Sequence, residues 1–256
     1  MKSIFVVLIM TCLSLAYGSE RFKSAVRLKG QSYLDIMSQL ENRGKKSVLG
    51  NKSAFKDLDF SEITEWRSSE LLWERFVMLR DKRFLATSKK PDFKRRSSWL
   101  YPDDGCYARA ALMIKNLKTV KIKMPWKIFI FGDLEFLTEN SETGSVSWWY
   151  HVAPIVNVDG EQFVLDPALS PLEPIKLEKW IGSLTDSIQD IGFALCSPNS
   201  YTPGSDCIEF EEQDSKEVIK DQKNFLGSEW RRQEQLGRDP NKVLGDFPLW
   251  EVKERR

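Results

Sequence analysis

Three residues of this chain have the types and the chain order of a cysteine nucleophile, its base and an orienting carboxylate: Cys106, His151 and Asp166. In such a set the thiolate attacks a carbonyl carbon, the imidazole moves the proton, and the carboxylate fixes the imidazole tautomer. His151 is the only histidine of the chain, so any mechanism that needs an imidazole must use it. A single histidine excludes multi-histidine zinc sites, and the cysteines lack paired ligand spacing, so we expect no metal.

Each of the three residues also has a plain structural interpretation. Cys106 follows a turn at 101–105 and begins a predicted helix over 106–117. At a helix start, free N–H groups and the helix dipole would lower the thiol pKa and could stabilise an oxyanion. Alternatively Cys106 is a small buried residue, His151 is structural, and Asp166-Pro167 only ends a strand. The combination indicates chemistry more strongly than any one residue.

The predicted strands place His151 and Asp166 side by side. Apolar runs predict strands over 127–131, 145–158 and 162–165. The dipeptide at 159–160 is Asp-Gly, a typical hairpin turn, so the last two strands are antiparallel neighbours. Pro154 lies within the histidine strand, and it therefore predicts an edge strand or a bulge there.

The regions around this core are charged and are predicted to be mainly helical. The patterns predict a short helix over 32–40 and a longer one through Ile63, Trp66 and Arg80, capped by Asp59 or Ser61. The basic run at 89–96 predicts an exposed break, which is either a solvated loop or a protease site. A polar helix over 214–236 is predicted to pack on the outside.

The first 18 residues have a positive start, an apolar run and a small-x-small end, which predict a cleaved signal peptide and a secreted or periplasmic protein. A buried helix, an uncleaved anchor and lipoprotein processing at Cys12 are the alternatives. Cleavage would leave Cys106, Cys196 and Cys207, an odd number, so one thiol stays free or pairs between chains. Cys196 and Cys207 could form a local disulfide or stay unpaired.

Composition limits the class of partner. The 256 residues are 41% hydrophobic and 12% aromatic, which is enough for a packed core. With 38 basic and 37 acidic residues the net charge is +1. Bulk charge therefore gives no reason to expect a nucleic-acid partner, nor a membrane partner after signal cleavage.

Four segments resemble the bacterial protein-glutaminase family, which deamidates glutamine in proteins. Residues 104–110, Asp-Gly-Cys-Tyr-Ala-Arg-Ala, are similar to the family's nucleophile motif. Residues 131–134 resemble its next strand and turn, and 148–156, with Tyr-His-Val-Ala at the centre, resemble its histidine strand. Residues 165–169, Leu-Asp-Pro-Ala-Leu, resemble its aspartate segment.

The resemblance implies an α+β fold, a papain- and transglutaminase-like core with a helix-start cysteine packed on an antiparallel sheet, and no cofactor. It makes Cys106 the nucleophile, His151 the base and acid, and Asp166 its orienting partner. The substrate would be protein- or peptide-bound glutamine, which is converted in place to glutamate with release of ammonia, and we expect the protein to be a monomer. Further aromatic residues either line an apolar cleft for the substrate or pack in the core, namely Trp99, Trp148, Trp149 and Tyr150.

We therefore expect four regions: a signal peptide at 1–18, a helical segment at 19–96, a catalytic core at 97–210 and a polar helical extension at 211–256. The helical segment is either a removable pro-region or a permanent part of the domain. A transglutaminase, a cysteine peptidase, a deamidase toxin with one target, and an inactive binding protein of the same fold are the competing functions.

Overall fold

The computed structural model describes residues 22–40 and 46–245, so the predicted signal peptide lies outside the described residues. Its helices are α1 (Tyr33–Gln39), α2 (Ser69–Asp81), α3 (Cys106–Lys118), α4 (Leu177–Gly182), α5 (Ser215–Gln235) and α6 (Pro240–Leu244). Its strands are β1 (Leu85–Thr87), β2 (Lys90–Arg95), β3 (Trp126–Leu137), β4 (Ser145–Val158), β5 (Glu161–Val164), β6 (Ile175–Lys176) and β7 (Gly192–Cys196).

One antiparallel sheet organises the molecule, with strand order β6-β5-β4-β3-β7. Strands β3 and β4 form its long centre and pair from Trp126↔Ile155 to Leu137↔Ser145, with a bulge between Phe131 and Leu134. Helix α3 packs on β4, and its side chains from Cys106 to Leu117 are buried except for Lys115. The α+β prediction is confirmed, with the cysteine at the start of a helix that lies on the sheet.

The hairpin between β4 and β5 is the one that the sequence predicts. Asp159 and Gly160 both have positive φ, at 52° and 81°, as the tight turn requires. The expectation for Pro154 is wrong, because β4 lies between β3 and β5 and continues past Pro154 without a bulge. The backbone of Pro154 faces the β5 side of β4, because its carbonyl accepts from the Leu165 N–H. The pairing of β4 with β5 ends at Ile155, so the N–H that proline lacks is not needed by that pairing.

The helix before the core is shorter than predicted. Helix α1 begins after its cap Ser32 as expected, but α2 begins only at Ser69, capped by Ser68. Ile63 and Trp66 precede α2, because the backbone N–H of Trp66 donates to Asn157 O at 2.8 Å. Trp66 also donates its indole N–H to Lys123 O at 2.9 Å, so tertiary contacts hold this stretch extended.

The basic run is a hairpin of β1 and β2, and the prediction of an exposed break is wrong for part of it. Lys89 and Lys90 are exposed at the turn, but Arg95 and Arg96 are buried. Arg95 forms an ion pair with the buried Glu229 and donates to Leu226 O at 2.7 Å. Neither a solvated loop nor an accessible protease site describes these two arginines.

Helix α5 lies deeper in the molecule than predicted. Its inner face is partly polar, with Gln222, Glu229 and Gln233 almost fully buried. Gln222 donates to Ser98 Oγ at 2.7 Å, and Glu229 accepts from the Leu100 N–H at 2.9 Å. A count of apolar residues underestimated this burial because hydrogen bonds and charge hold the helix in addition to the buried Val218 and Leu226.

Cys196, at the end of β7, forms a disulfide with Cys207, which is the local pairing that the sequence favours. Cys106 is the free cysteine of the described residues. Among the helices of those residues, none combines the length and the apolar character needed to cross a membrane.

Candidate active site

Cys106 is the first residue of α3, and its thiol lies against the strand that carries the histidine. Gly105 caps the helix with φ 81°, a left-handed conformation that turns the chain into the helix. The Val152 backbone N–H donates a hydrogen bond to the sulfur, and the thiol shares another with the Tyr150 hydroxyl. The sulfur therefore contacts the residues on both sides of His151.

The thiol is neutral in this form of the protein. Burial raises the pKa of Cys106 to about 12, although the charge of Arg109 and the Val152 N–H oppose the rise. The expectation of a lowered thiol pKa therefore does not hold here. The helix start is present, but removal of the sulfur from water outweighs it.

His151 and Asp166 form a buried pair. The imidazole Nε2 lies 2.7 Å from the Asp166 Oδ2, and both side chains are at most 5% exposed. Asp166 follows β5, and the β4–β5 hairpin brings it to the histidine strand as predicted. With Nε2–H directed at the carboxylate, Nδ1 keeps the lone pair of the neutral ring, and it has no hydrogen-bond partner among the described residues.

Two tryptophans hold this pair in position. Trp180, on α4, donates its indole N–H to the same Oδ2 of Asp166 at 3.0 Å. Burial alone would raise the pKa of Asp166, but the charge and hydrogen bond of His151 and the Trp180 N–H lower it below its usual value. Trp148 stacks on the imidazole of His151 and donates to Asp103 O at 2.8 Å. The carboxylate is therefore ionised, and the ring is fixed on one face.

Two further ionisable residues, Asp104 and Arg109, lie near Cys106 in sequence and in the fold. Arg109 is almost fully buried on the first turn of α3 and donates to Asp104 O at 2.7 Å and to Tyr101 O at 3.1 Å. The Asp104 carboxylate accepts from the Gly105 N–H at 2.7 Å. Burial raises the pKa of Asp104, while these contacts and the Arg109 charge oppose the rise. Together they fix the turn that presents Cys106.

The segment 22–27, which we call the covering segment, lies along the edge of β4 that β5 leaves open. Its backbone pairs with the strand, since Trp149 N donates to Ala25 O at 3.0 Å and Arg27 N donates to Ser147 O at 2.9 Å. The Ala25 N–H donates to the Asp104 carboxylate at 3.0 Å. The Tyr150 hydroxyl donates to Lys23 O at 2.5 Å. This segment and the thiol share one hydrogen-bond partner, the Tyr150 hydroxyl, and Cys106 is 2% exposed.

The aromatic residues predicted to line a cleft divide into two groups. Trp148, Trp149 and Tyr150 lie in the core cluster that contains Cys106, and the last two donate to the covering segment. Trp99 lies in the second cluster, with the side chains of α2, and donates to Arg80 O at 2.9 Å. The structure does not bring Trp99 to the thiol.

Sequence reasoning missed Trp180, Asp104 and Arg109. An arginine three residues after Cys106, on a helix that is otherwise apolar at this end, is a signal that could have been used. Nothing local distinguishes Trp180, which lies 14 residues beyond Asp166 and reaches it only through the fold.

Comparison with known proteins gives one family. The family described as Glutaminase matches residues 72–184. A search of curated proteins finds no match.

Solved structures of protein-glutaminases are distantly similar. The protein-glutaminase crystal structure has 22% identity over 64% of this chain and 88% of its own, with a TM-score of 0.47. The NMR structure of protein-glutaminase from Chryseobacterium proteolyticum has 22% identity over 62% of this chain and 85% of its own, with a TM-score of 0.46. A mutant of pro-protein-glutaminase has 24% identity over 59% of this chain, with a TM-score of 0.45. This chain spans only 56% of that precursor.

The matched residues 72–184 contain Cys106, His151 and Asp166. Over that range the chain resembles a glutaminase family, as its sequence predicts.

Proposed function

We propose that this protein is a secreted deamidase that converts protein- or peptide-bound glutamine to glutamate. One observation carries the proposal: the buried His151–Asp166 hydrogen bond lies within the segment that matches a glutaminase family, and the same segment contains the helix-start thiol of Cys106. The disulfide suits an oxidising compartment. Proteins and peptides with an accessible glutamine are the proposed substrates, and the enzyme acts as a monomer.

The reaction uses the three side chains in sequence. His151 Nδ1 removes the proton of Cys106, and the sulfur attacks the side-chain carboxamide carbon of glutamine. Free N–H groups at the start of α3 stabilise the oxyanion. The protonated imidazole gives its proton to the leaving nitrogen, ammonia departs, and a thioester remains. Neutral His151 then activates water, which hydrolyses the thioester to glutamate and restores the thiol. Asp166 holds the tautomer throughout.

We further propose that the described structure is a latent form. The covering segment pairs with the edge of β4 and contacts Asp104 and Tyr150, and the thiol beneath it is neutral. Departure of this segment would admit water, reduce the burial that raises the thiol pKa, and open the strand edge to substrate. The matched range begins at residue 72, within α2, so we place the end of the removable part before this helix begins at Ser69.

The test is ammonia release from an unstructured glutamine-containing protein, before and after limited proteolysis. We expect release after proteolysis, with glutamate formed, and none from a Cys106→Ala variant treated identically. Full activity of the uncleaved chain would contradict the latent form but leave the deamidase proposal in place.

Competing activities give different products in the same assay. Cross-linked protein with ammonia release would indicate a transglutaminase, and new peptide termini would indicate a cysteine peptidase. No product from the proteolysed chain with several unfolded substrates would favour an inactive binding protein or a deamidase with one target.

A further inference from the structure

A groove lies between the β1–β2 hairpin and the outer face of α5, on the side of that helix away from Cys106. Its volume is about 530 Å³. Phe93 and Trp230 form its apolar floor and contact each other edge to face, with ring centroids 6.2 Å apart. Gly227 has no side chain to fill the groove from the α5 side. A Cβ built at this position would contact only the Arg231 guanidinium, at 3.6 Å.

All the charged side chains that line the groove are positive. Lys89, Lys90, Lys223 and Arg231 line it and are exposed. Within the described part of the chain none of the four has an ion-pair partner, and no carboxylate lines the groove. The fifth cation, Arg95, is already paired with Glu229 beneath the floor. Because the whole chain has a net charge of only +1, this excess of positive charge is local.

We propose that this groove binds an acidic segment of a partner protein, a short run of Asp and Glu side chains. Four cations without an ion-pair partner, one of them Lys90 over the Trp230 ring, complement a chain of carboxylates, and such complementarity sets partner choice and association rate. Binding here does not depend on catalysis, since the groove contains none of the residues proposed for the reaction.

The structure favours an acidic peptide over a nucleic acid. The Lys90 Nζ lies 3.7 Å from the centre of the Trp230 ring and covers the face on which a base would stack. Single-stranded nucleic acids bind through such stacking together with a basic track.

The opposite face of α5 supports the nucleophile turn. Phe225 lies against the α-carbon of Gly105, and Glu229 accepts the Leu100 N–H. An acidic segment in the groove would therefore bind to the helix whose other face packs against the turn before Cys106.

The test is fluorescence anisotropy of a labelled peptide rich in Asp and Glu, with a matched peptide in which Asn and Gln replace them. We expect the intact chain to bind the acidic peptide alone, and the affinity to fall as salt is added. The double variant Lys223→Glu with Arg231→Glu should weaken binding about tenfold or more, since two attractions become repulsions. Lys56→Glu with Lys179→Glu makes the same charge change on exposed residues outside the groove and should leave binding unchanged.

Two further arms identify other occupants. Single-stranded DNA of equal charge that binds as tightly as the peptide, with the same loss in the double variant, would overturn the proposal in favour of a general polyanion site. Peptide binding by a chain ending at Gly245, without binding by the intact chain, would show that the protein's own C-terminal residues fill the groove. Equal binding of both peptides, or no effect of the double variant, would also overturn it.

Discussion

The indole of Trp148 lies nearly parallel to the imidazole of His151, with ring centroids 4.6 Å apart and 13° between the planes. The same indole donates its N–H to Asp103 O, in the turn that leads to Cys106. One side chain therefore contacts both His151, the proposed base, and the turn that leads to Cys106, the proposed nucleophile.

Replacement of Trp148 by Phe should lower kcat for ammonia release about tenfold in the proteolysed enzyme, with a smaller effect on KM, because small misplacements of catalytic groups are costly. The ring contact is kept in part, but the hydrogen bond to Asp103 is lost. The matched control is Trp66→Phe, which also removes a buried indole N–H bond to a carbonyl, at Lys123 O. Equal losses of kcat in both variants would assign Trp148 a purely structural role.

Replacement of Gly105 by Ala should destabilise the protein more than the same change at Gly160. Both glycines have φ 81°, so both substitutions carry the left-handed backbone cost of about 1 kcal/mol. At Gly105 the new Cβ would also lie 2.6 Å from the Phe225 ring, whereas nothing lies within 4 Å of it at Gly160. Urea unfolding of the two variants measures the difference, and equal losses would show that Phe225 moves aside freely.

Replacement of Glu229 by Gln should cost about 3–5 kcal/mol of stability, because it leaves the Arg95 charge buried without its partner. The control is Glu161→Gln, which breaks the exposed Lys176–Glu161 pair and should cost less than about 1 kcal/mol. Chemical denaturation of both variants is the measurement. A small loss for Glu229→Gln would mean that water reaches Arg95.

The free energy of unfolding should increase as the pH rises from 7 to about 9, because of the buried Lys127. This lysine is buried on β3 and donates to Ser200 O at 2.5 Å. Burial lowers the pKa of Lys127 from 10.5 to about 7, and the nearby Lys118 charge adds to the shift. Between these values the unfolded chain binds more protons than the folded one, so the free energy of unfolding increases with pH.

Denaturation midpoints at several pH values test this dependence. The rise should be smaller in a Lys127→Met variant and unchanged in Lys179→Met, which alters an exposed lysine. Equal slopes in all three proteins would contradict it. The range ends near pH 9 because burial raises the pKa of Tyr107, Tyr150 and Tyr201, and their effect on stability has the opposite sign at higher pH.

The sequence predicted those parts of the fold that local patterns determine. Periodicity and turn chemistry located α3, the strand of His151 and the Asp159-Gly160 hairpin, and these elements alone bring His151 to Asp166. The start of α2 could not be predicted, because backbone pairing of Trp66 with Asn157 replaces the helix that its apolar spacing favours.

Contacts between distant segments account for the remaining differences. Arg95 looked like part of a solvated basic run, but its partner Glu229 lies 134 residues away. The thiol of Cys106 was expected to be acidic from its place at a helix start. Its pKa depends instead on burial, and a sequence pattern does not report which segments cover a residue.

The pairing of the covering segment with β4 has a consequence for the solubility of the chain once that segment is removed, as proposed above. Removal of residues 22–27 would leave a run of unpaired backbone groups around Ser147 and Trp149 on the rim of the sheet. Unprotected strand edges template association with other chains. We therefore expect the chain that lacks residues 22–27, the proposed active form, to aggregate faster than the intact chain when no substrate covers this strand edge.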